Sequence, residues 1–369
     1  MSKQIIVVGG LPESLLNFRG DLLSAFKARG FKVTAMSGLA SDSIKLQLAA
    51  KGIKHIDIPI RRNGLNPVSD LLLFWRFYKT FKKNKPKAVI AYTIKPVIWG
   101  GLATRLAGVP FYGLVTGLGF AFQGEGFKRK LLTFVVTKLY SSALKVCRAV
   151  VFQNKDNRDV FIERNIVSSE KCHVVNGSGV NISSFQYKAI PDGEMAFLCV
   201  ARLLKEKGLR EYAAAATLVK KKYPQVSFKL VGPEDPSPDG ISIEEVRTWS
   251  SIDYMGETKD VRPFIEQCHV YVLPSYHEGL PRSTLEAMAT GRPVLTTDAV
   301  GCRETVETGI NGFKVGVSNV TELTERMTWF IENPEKLNEM GKASRNMVEQ
   351  KFDVNKVNDS ILKIMELKS

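Results

Sequence analysis

Short, almost unbroken apolar runs alternate with helical patterns along this chain, and that alternation limits the possible folds more than any other feature. QIIVVG (4–9), FKVTAM (31–36), IKHIDI (53–58), KAVIAY (87–92), FYGLVT (111–116) and RAVVFQ (148–153) read as strands buried on both faces, since a strand with one wet face would alternate apolar with polar residues. LLNFRGDLLSAFKARG (15–30) lies between them as a helix closed by Gly30, and NPVSDLLLFWRFYKTFKKNK (66–85) as a helix with Pro67 near its start and Asn66 or Ser69 as its cap. This order predicts an α/β fold with a parallel sheet covered by helices on both faces.

The polar stretch ISSFQYKAIPDGE (182–194) interrupts the pattern and reads as a linker, with PDGE as its hinge. The alternation then restarts with EMAFLCVA (194–201), a helix over about 206–222, VSFKLVG (226–232), HVYVLP (269–274) and RPVLTT (292–297), before a helical, amphipathic end from about 319. A chain of 369 residues can hold two such domains. We expect them at 1–185 and 186–350, with a helix over 351–369 packing back on the first.

Charge separates the two halves. Residues 1–185 hold 28 Lys/Arg against 10 Asp/Glu, a net +18, whereas the remainder carries 24 against 27. So basic a first half points to a polyanionic partner: an anionic membrane surface, a phosphorylated lipid or a nucleic acid. Nothing approaches the roughly 18–20 apolar residues of a membrane-spanning helix, and MSKQIIVVGG reads as a first strand rather than a signal peptide. The five cysteines are far apart and lack a CxxC pair, so they read as reduced residues of a cytoplasmic core rather than disulfides or zinc ligands.

The usual phosphate motifs are missing. Gly9-Gly10 follows the first strand without GxGxxG, GLGFAF (117–122) has Phe122 where a third glycine would stand, and neither GxxxxGK[ST] nor a metal-holding DxD pair occurs. A phosphate site would therefore need side-chain cations and backbone N–H groups. VARLLKEKG (200–208) offers Arg202 and Lys207 directly after a strand; as a pattern alone it also suits a solvated basic loop. HVYVLPSYHEGLPRSTLEAMATGRP (269–293) reads as strand, loop and a helix over about 283–290 closed by Gly291. The N–H groups of that helix start can bind an anion. Gly279 permits a close backbone approach, and Ser283 and Thr284 add hydroxyls. The spacing Ser283-Thr284-Leu285-Glu286 also fits a capping box, in which Glu286 would serve the helix start alone. That reading leaves Glu278 and Gly279 unexplained.

Glu278-x7-Glu286, set in EGLPRSTLEAMATGRPV, together with RLLKEKG and the early Gly-Gly, resembles the signature of the retaining glycosyltransferases of family 4, and the resemblance covers nearly the whole chain. It implies the GT-B fold, two Rossmann-like domains facing a cleft. Arg202 and Lys207 would contact the donor diphosphate, Glu278 the donor sugar and Glu286 the ribose hydroxyls. Gly279, Leu280, Pro281, Arg282, Ser283 and Thr284 would line the sugar-diphosphate site, which Gly9 and Gly10 would approach. Retention of configuration by same-face attack follows from the resemblance, as does a UDP-sugar donor with no metal or other cofactor. Many members carry a histidine after the fourth strand; here Thr93-Ile94-Lys95-Pro96 stands instead.

AYTIKPVIWGGLATRLAGVP (91–110) and VTGLGFAF (115–122) narrow the resemblance to bacterial enzymes that extend polyprenyl-diphosphate-linked saccharides for O-antigen, capsule or protein-linked glycans. The implied reaction is hexosyl or N-acetylhexosaminyl transfer, by a peripheral protein on the cytoplasmic face of the inner membrane. FWRFYKTFKKNKPK (74–87) and FKRKLLTFVVTKLYSSALKVCR (127–148) mix apolar and basic residues as bilayer-surface helices do, although an ordinary domain helix also buries one apolar face. Arg19, Lys95, Lys128, Arg129 and Lys130 are the candidate acceptor and lipid-phosphate contacts. Two other readings compete: a sugar-nucleotide epimerase of the same fold, and a basic nucleic-acid-binding protein, for which no recognition motif is present.

Overall fold

The computed structural model describes residues 2–60, 66–118, 122 and 127–367, the side chains of 127–129 excepted. The chain divides into two compact units, Met1–Ser178 with Asn355–Ser369, and Gly179–Val354. In the first unit the expected apolar runs become β1 (Gln4–Val8), β2 (Lys32–Ser37), β3 (Lys54–Asp57), β4 (Ala88–Tyr92), β5 (Phe111–Val115) and β6 (Ala149–Phe152), joined by a short β7 (Cys172–Val174). All pairings are parallel, in the order β3-β2-β1-β4-β5-β6-β7. The order reverses between β1 and β4, and ligands of such sheets bind beyond the carboxyl ends of the strands at that point.

The helices of this unit are α1 (Pro12–Asn17), α2 (Gly20–Ala28), α3 (Asp42–Ala50), α4 (Pro67–Asn84), α5 (Ile94–Ala107), α6 (Phe127–Leu144) and α7 (Lys155–Glu163). The helix expected over 15–30 is thus two. The chain leaves helical geometry at Phe18–Arg19, just before Gly20, a poor helix former. Helix α4 is as expected, and its cap is Asn66, whose side chain accepts from the N–H groups of Val68 and Ser69. Helix α5 packs between α4 and α6; at Gly101 a Cβ would lie 2.9 Å from the Ala143 carbonyl oxygen, so glycine allows the close α5–α6 approach.

The second unit holds β8 (Ala196–Val200), β9 (Ser227–Val231), β10 (Asp253–Tyr254), β11 (Val270–Leu273), β12 (Val294–Thr297) and β13 (Gly312–Val315), again parallel, in the order β10-β9-β8-β11-β12-β13. Here the reversal lies between β8 and β11. Its helices are α8 (Leu209–Lys222), α9 (Ile243–Arg247), α10 (Arg262–Glu266), α11 (Arg282–Ala289), α12 (Val320–Glu332) and α13 (Leu337–Met347). The final helix, α14 (Val354–Ile364), returns to the first unit: Val357, Ile361 and Leu362 share a core with Leu22, Phe26 and Val33, and Arg29 pairs with Asp359 at 2.8 Å.

The chain changes unit at 178/179 and 354/355, against the expected 185/186 and 350/351. The stretch 182–194, expected as a linker, is instead packed on the second unit. Phe185 and Ile190 lie against its core, Arg345 donates to the Phe185 carbonyl at 2.8 Å, and Lys188 N–H donates to the Thr290 carbonyl at 3.0 Å. Two aromatic and aliphatic anchors outweigh a polar composition. All five cysteines are unpaired, and among the described residues no helix is long and apolar enough to cross a membrane.

Candidate active site

Four segments meet at the β8/β11 reversal: the turn after β8, the loop after β11, the first turn of α11 and the segment after β12. Glycines set their spacing. At Gly208 (φ 66°) a Cβ would fall 2.1 Å from the Pro274 carbonyl oxygen, and at Gly301 (φ 80°) 2.4 Å from that of Glu278; only glycine combines this φ with such contacts. The Glu278 N–H donates to the Val300 carbonyl at 2.8 Å and the Tyr276 N–H to that of Glu206 at 2.8 Å, which fixes the loop after β11 to both neighbours.

Within this frame Lys207 Nζ stands 2.6 Å from Glu278 Oε1, and Ser275 Oγ donates to the same oxygen at 2.9 Å. Both members of the ion pair are largely covered, at 12 % and 15 % side-chain exposure. Burial alone would depress the Lys207 pKa; the Glu278 carboxylate outweighs it and holds the pKa above the ordinary lysine value. The Arg202 guanidinium donates to Asp235 and remains 40 % exposed. Burial would raise the Asp235 pKa, but its hydrogen bonds from Ser237 and the nearby Arg202 bring it below the usual aspartate value.

Helix α11 begins at Arg282, with Pro281 as N-cap and no side chain capping its N–H groups. A proline there supplies no acceptor side chain, and a helix start of this kind favours an anion. Gly291 (φ 86°) ends the helix as expected: its N–H donates to Met288 O, and that of Arg292 to Ala287 O. The capping-box reading of Glu286 does not hold. The helix starts two residues earlier than that motif requires, with Pro281 and not Ser283 at the N-cap, and Glu286 lies one turn inside it, 2.9 Å from Arg282 Nε. Burial raises the Glu286 pKa above the ordinary glutamate value, with Arg282 opposing.

Ser283 differs from expectation too. Its hydroxyl turns inward, donating to the Val200 carbonyl at 3.0 Å and accepting from Tyr271 Oη at 2.7 Å. Tyr271, on β11, thereby ties the first turn of α11 to the end of β8. Thr284 is fully buried, and its Oγ1 has no hydrogen-bond partner among the described residues. Leu280 is a core residue, so it can offer the site only its backbone. The expected Arg202, Lys207, Glu278, Gly279, Pro281, Arg282 and Glu286 all border this one region. Asp235, Ser275 and Tyr271 were not foreseen: an aspartate in a loop and a tyrosine in a strand carry no signal until the fold places them.

The first-unit candidates are more scattered. A Cβ on Gly9 would lie 2.2 Å from Tyr92 Oη, so the turn after β1 presses against the end of β4, and Gly10 stands beside Thr93. Lys95 is paired with Asp70 at 2.9 Å rather than open to a phosphate. Arg19, expected as a lipid-phosphate contact, is buried with its guanidinium over the Tyr92 ring, 5.2 Å from the centroid; the break between α1 and α2 turns it inward. Lys130 is exposed on α6, and the side chains of Lys128 and Arg129 lie outside the described residues. Among the described residues no group of three or more His, Cys, Asp or Glu could hold a metal ion.

Residues 15–154 match the glycosyl transferase 4-like family and residues 181–347 match glycosyl transferases group 1. The chain is 28% identical over 368 residues, 96% of each chain, to the N,N'-diacetylbacillosaminyl-diphospho-undecaprenol alpha-1,3-N-acetylgalactosaminyltransferase of Campylobacter jejuni. It is 26% identical to the UDP-Gal:alpha-D-GlcNAc-diphosphoundecaprenol alpha-1,3-galactosyltransferase of Escherichia coli, over 84% of this chain and 82% of that one. The solved structure of Anabaena Alr3699/HepE in complex with UDP and glucose matches its fold at a TM-score of 0.80 and 19% identity, over 99% of this chain and 100% of that one. The chain is therefore a glycosyltransferase of GT-B fold, made of a glycosyl transferase 4-like domain and a glycosyl transferases group 1 domain.

Proposed function

We propose that this enzyme moves a hexose or N-acetylhexosamine from a UDP-sugar to a polyprenyl-diphosphate-linked saccharide, with retention of configuration and without a metal, in bacterial O-antigen, capsule or protein-glycan synthesis. The observation that carries the reading is the covered Lys207–Glu278 pair beside the uncapped start of α11, at the β8/β11 reversal. The acceptor class rests on the two relatives whose names contain undecaprenol.

In the reaction the anomeric C–O bond to phosphate breaks, its electron pair passes to the nucleoside diphosphate, and the acceptor hydroxyl oxygen forms the new bond on the same face while its proton passes to the departing phosphate oxygen. Charge therefore grows on the diphosphate. Lys207, Arg202 and the N–H groups of Arg282, Ser283 and Thr284 supply fixed positive potential for it, which needs no reorganisation as the bond breaks. An incoming diphosphate competes with Glu278 for Lys207, releasing the carboxylate to the donor sugar hydroxyls. Glu286 is the acceptor for the ribose hydroxyls. The basic, apolar surface of α4 and α6 seats the enzyme on anionic lipid at the cytoplasmic face of the inner membrane.

The test is a donor screen with a short polyprenyl-diphosphate-linked sugar and EDTA present. UDP release that requires both one UDP-sugar and the lipid-linked acceptor is expected. Release without acceptor would favour an epimerase, and release that EDTA abolishes would overturn metal independence.

A further inference from the structure

Large apolar side chains are exposed on three neighbouring helices of the first unit, among them Val68, Leu71, Leu72 and Trp75 on α4, Leu106 on α5 and Phe134 on α6. Contiguous exposure of this kind marks an interaction surface rather than ordinary surface scatter. Within it, α4 and α5 border a shallow, open groove of about 450 Å³ lined by Leu71, Phe74, Trp99, Leu102, Arg105 and Leu106. Five of those six side chains are apolar, and the volume lies in the range of roughly 300–1,000 Å³ usual for small-ligand clefts.

The ends of the groove differ from its middle. The Asp70–Lys95 ion pair joins the first turns of α4 and α5, at the carboxyl end of the sheet where β4 stops. Leu71, Phe74 and Trp99 begin within the next turn. At the other end stand Arg105 and, on the last turns of α4, the exposed Lys79, Lys82 and Lys83. From Trp99 to Leu106 the helix rises about 10 Å. The order along the groove is thus ligand end of the sheet, apolar channel, basic rim.

We propose that this groove holds the isoprene units next to the diphosphate of the acceptor lipid. The inference rests on the lipid-linked acceptor proposed above and goes beyond surface attachment. The basic rim meets the anionic headgroups, a single prenyl chain leaves the bilayer between α4 and α5, and its diphosphate reaches the carboxyl end of the first sheet, past the Asp70–Lys95 pair. Charge complementarity at the rim selects the occupant: a prenyl chain drawn from an anionic bilayer satisfies both the apolar channel and the exposed Lys79, Lys82, Lys83 and Arg105 where it enters, whereas an apolar protein partner would leave those cations unmatched.

Photocrosslinking of the full chain with geranyl diphosphate carrying a terminal benzophenone tests this. The expected adducts fall on the α4 and α5 peptides containing Leu71, Phe74, Leu102 and Leu106. They are displaced by unlabelled geranylgeranyl diphosphate and not by phosphatidylglycerol vesicles. Leu71 and Leu106 are each 54% exposed, so the fold tolerates their replacement. L71D/L106D should lower the adduct yield roughly ten-fold, because a carboxylate opposes an apolar chain in the channel. L46D, on the exposed face of α3 away from the groove, should leave it unchanged. Adducts on α6 or spread over the surface, or displacement by the vesicles alone, would overturn the proposal. The readout needs no sugar transfer. A protein that transfers sugar but crosslinks elsewhere refutes the groove alone, and one that crosslinks here but transfers to no lipid-linked acceptor refutes the acceptor reading on which the groove's role depends.

Discussion

Both units reverse their strand order once, yet the two reversal points are furnished differently. At β1/β4 the contact is one of shape: Gly9 lies against the Tyr92 ring with no space for a Cβ, and the nearby charges Lys95 and Asp70 neutralise each other on the helices behind. At β8/β11 the contact is one of charge. Three ion pairs, Lys207–Glu278, Arg202–Asp235 and Arg282–Glu286, border the same loops. A closely fitted turn can only be kept or broken. An ion pair at a strand end can exchange its partner for a charged ligand, so the second reversal holds positive charge in place without leaving it unpaired in the absence of substrate.

Removing one charge at the second point is the strongest way to break this contrast. Glu278→Ala should lower kcat by about 10³, and Arg202→Ala by about 10², the range for deleting one preorganised group that acts on the developing charge. Glu278→Ala also leaves Lys207 without its carboxylate, so its melting temperature should fall as well. Initial rates at saturating donor, set beside melting curves, check both; a change confined to stability would make the pairs structural and erase the distinction between the two points. At the first point the expected effect lies in the fold. Gly9→Ala should cost about 1–3 kcal/mol through overpacking against Tyr92. In urea unfolding, Gly9→Ala combined with Tyr92→Val should cost less than the sum of the single changes.

The contrast extends to pH. Burial favours the protonated form of Glu286 and raises its pKa above 4.5. Its contribution to stability is therefore complete below 4.5 and is lost as the pH rises through the raised value. Ribose binding needs the opposite state, the ionised acceptor. As the pH falls from neutrality, the parent's melting temperature should rise relative to that of Glu286→Gln while its affinity for UDP declines. Parallel changes in the two quantities would show that Glu286 serves the fold and not the nucleotide.

How much of this was legible beforehand depended on the range of the interaction. Ten of the thirteen strands among the described residues stand out in the sequence, most of them because a strand buried on both faces is largely apolar; the edge strand Lys54–Asp57 is only partly buried. The exceptions, Cys172–Val174, Asp253–Tyr254 and Gly312–Val315, are too short to show a pattern or open on a glycine. Arg202, Lys207, Glu278 and Glu286 could be singled out because loop and helix-start signals are local. Their partners could not: Asp235 follows β9, and Tyr271 sits inside a strand, where its hydroxyl has no meaning until Ser283 and Val200 come within reach. The linker was misplaced for a related reason, since the polar 182–194 is held by Phe185 and Ile190 docking on distant residues.

The smallest expected effect tests whether the charged point also depends on shape. Tyr271 donates to Ser283 Oγ, which donates in turn to the Val200 carbonyl. This chain of two bonds sets the first turn of α11 against the end of β8, two residues before Arg202, without touching the substrate. Tyr271→Phe keeps the ring and removes a buried hydroxyl proton shared between Ser283 Oγ and the Val200 carbonyl, worth about 1 kcal/mol. The donors of α11 should then be less well placed in the ground and transition states alike, so KM for the UDP-sugar should rise a few-fold with kcat nearly unchanged. In a Ser283→Ala background the same substitution should cost less, because the shorter of the two bonds is already gone and only the one to the Val200 carbonyl at 3.2 Å remains. An equal loss in both backgrounds would mean that the Tyr271 hydroxyl acts through the Val200 carbonyl and not through Ser283, so that this bond does not position the first turn of α11.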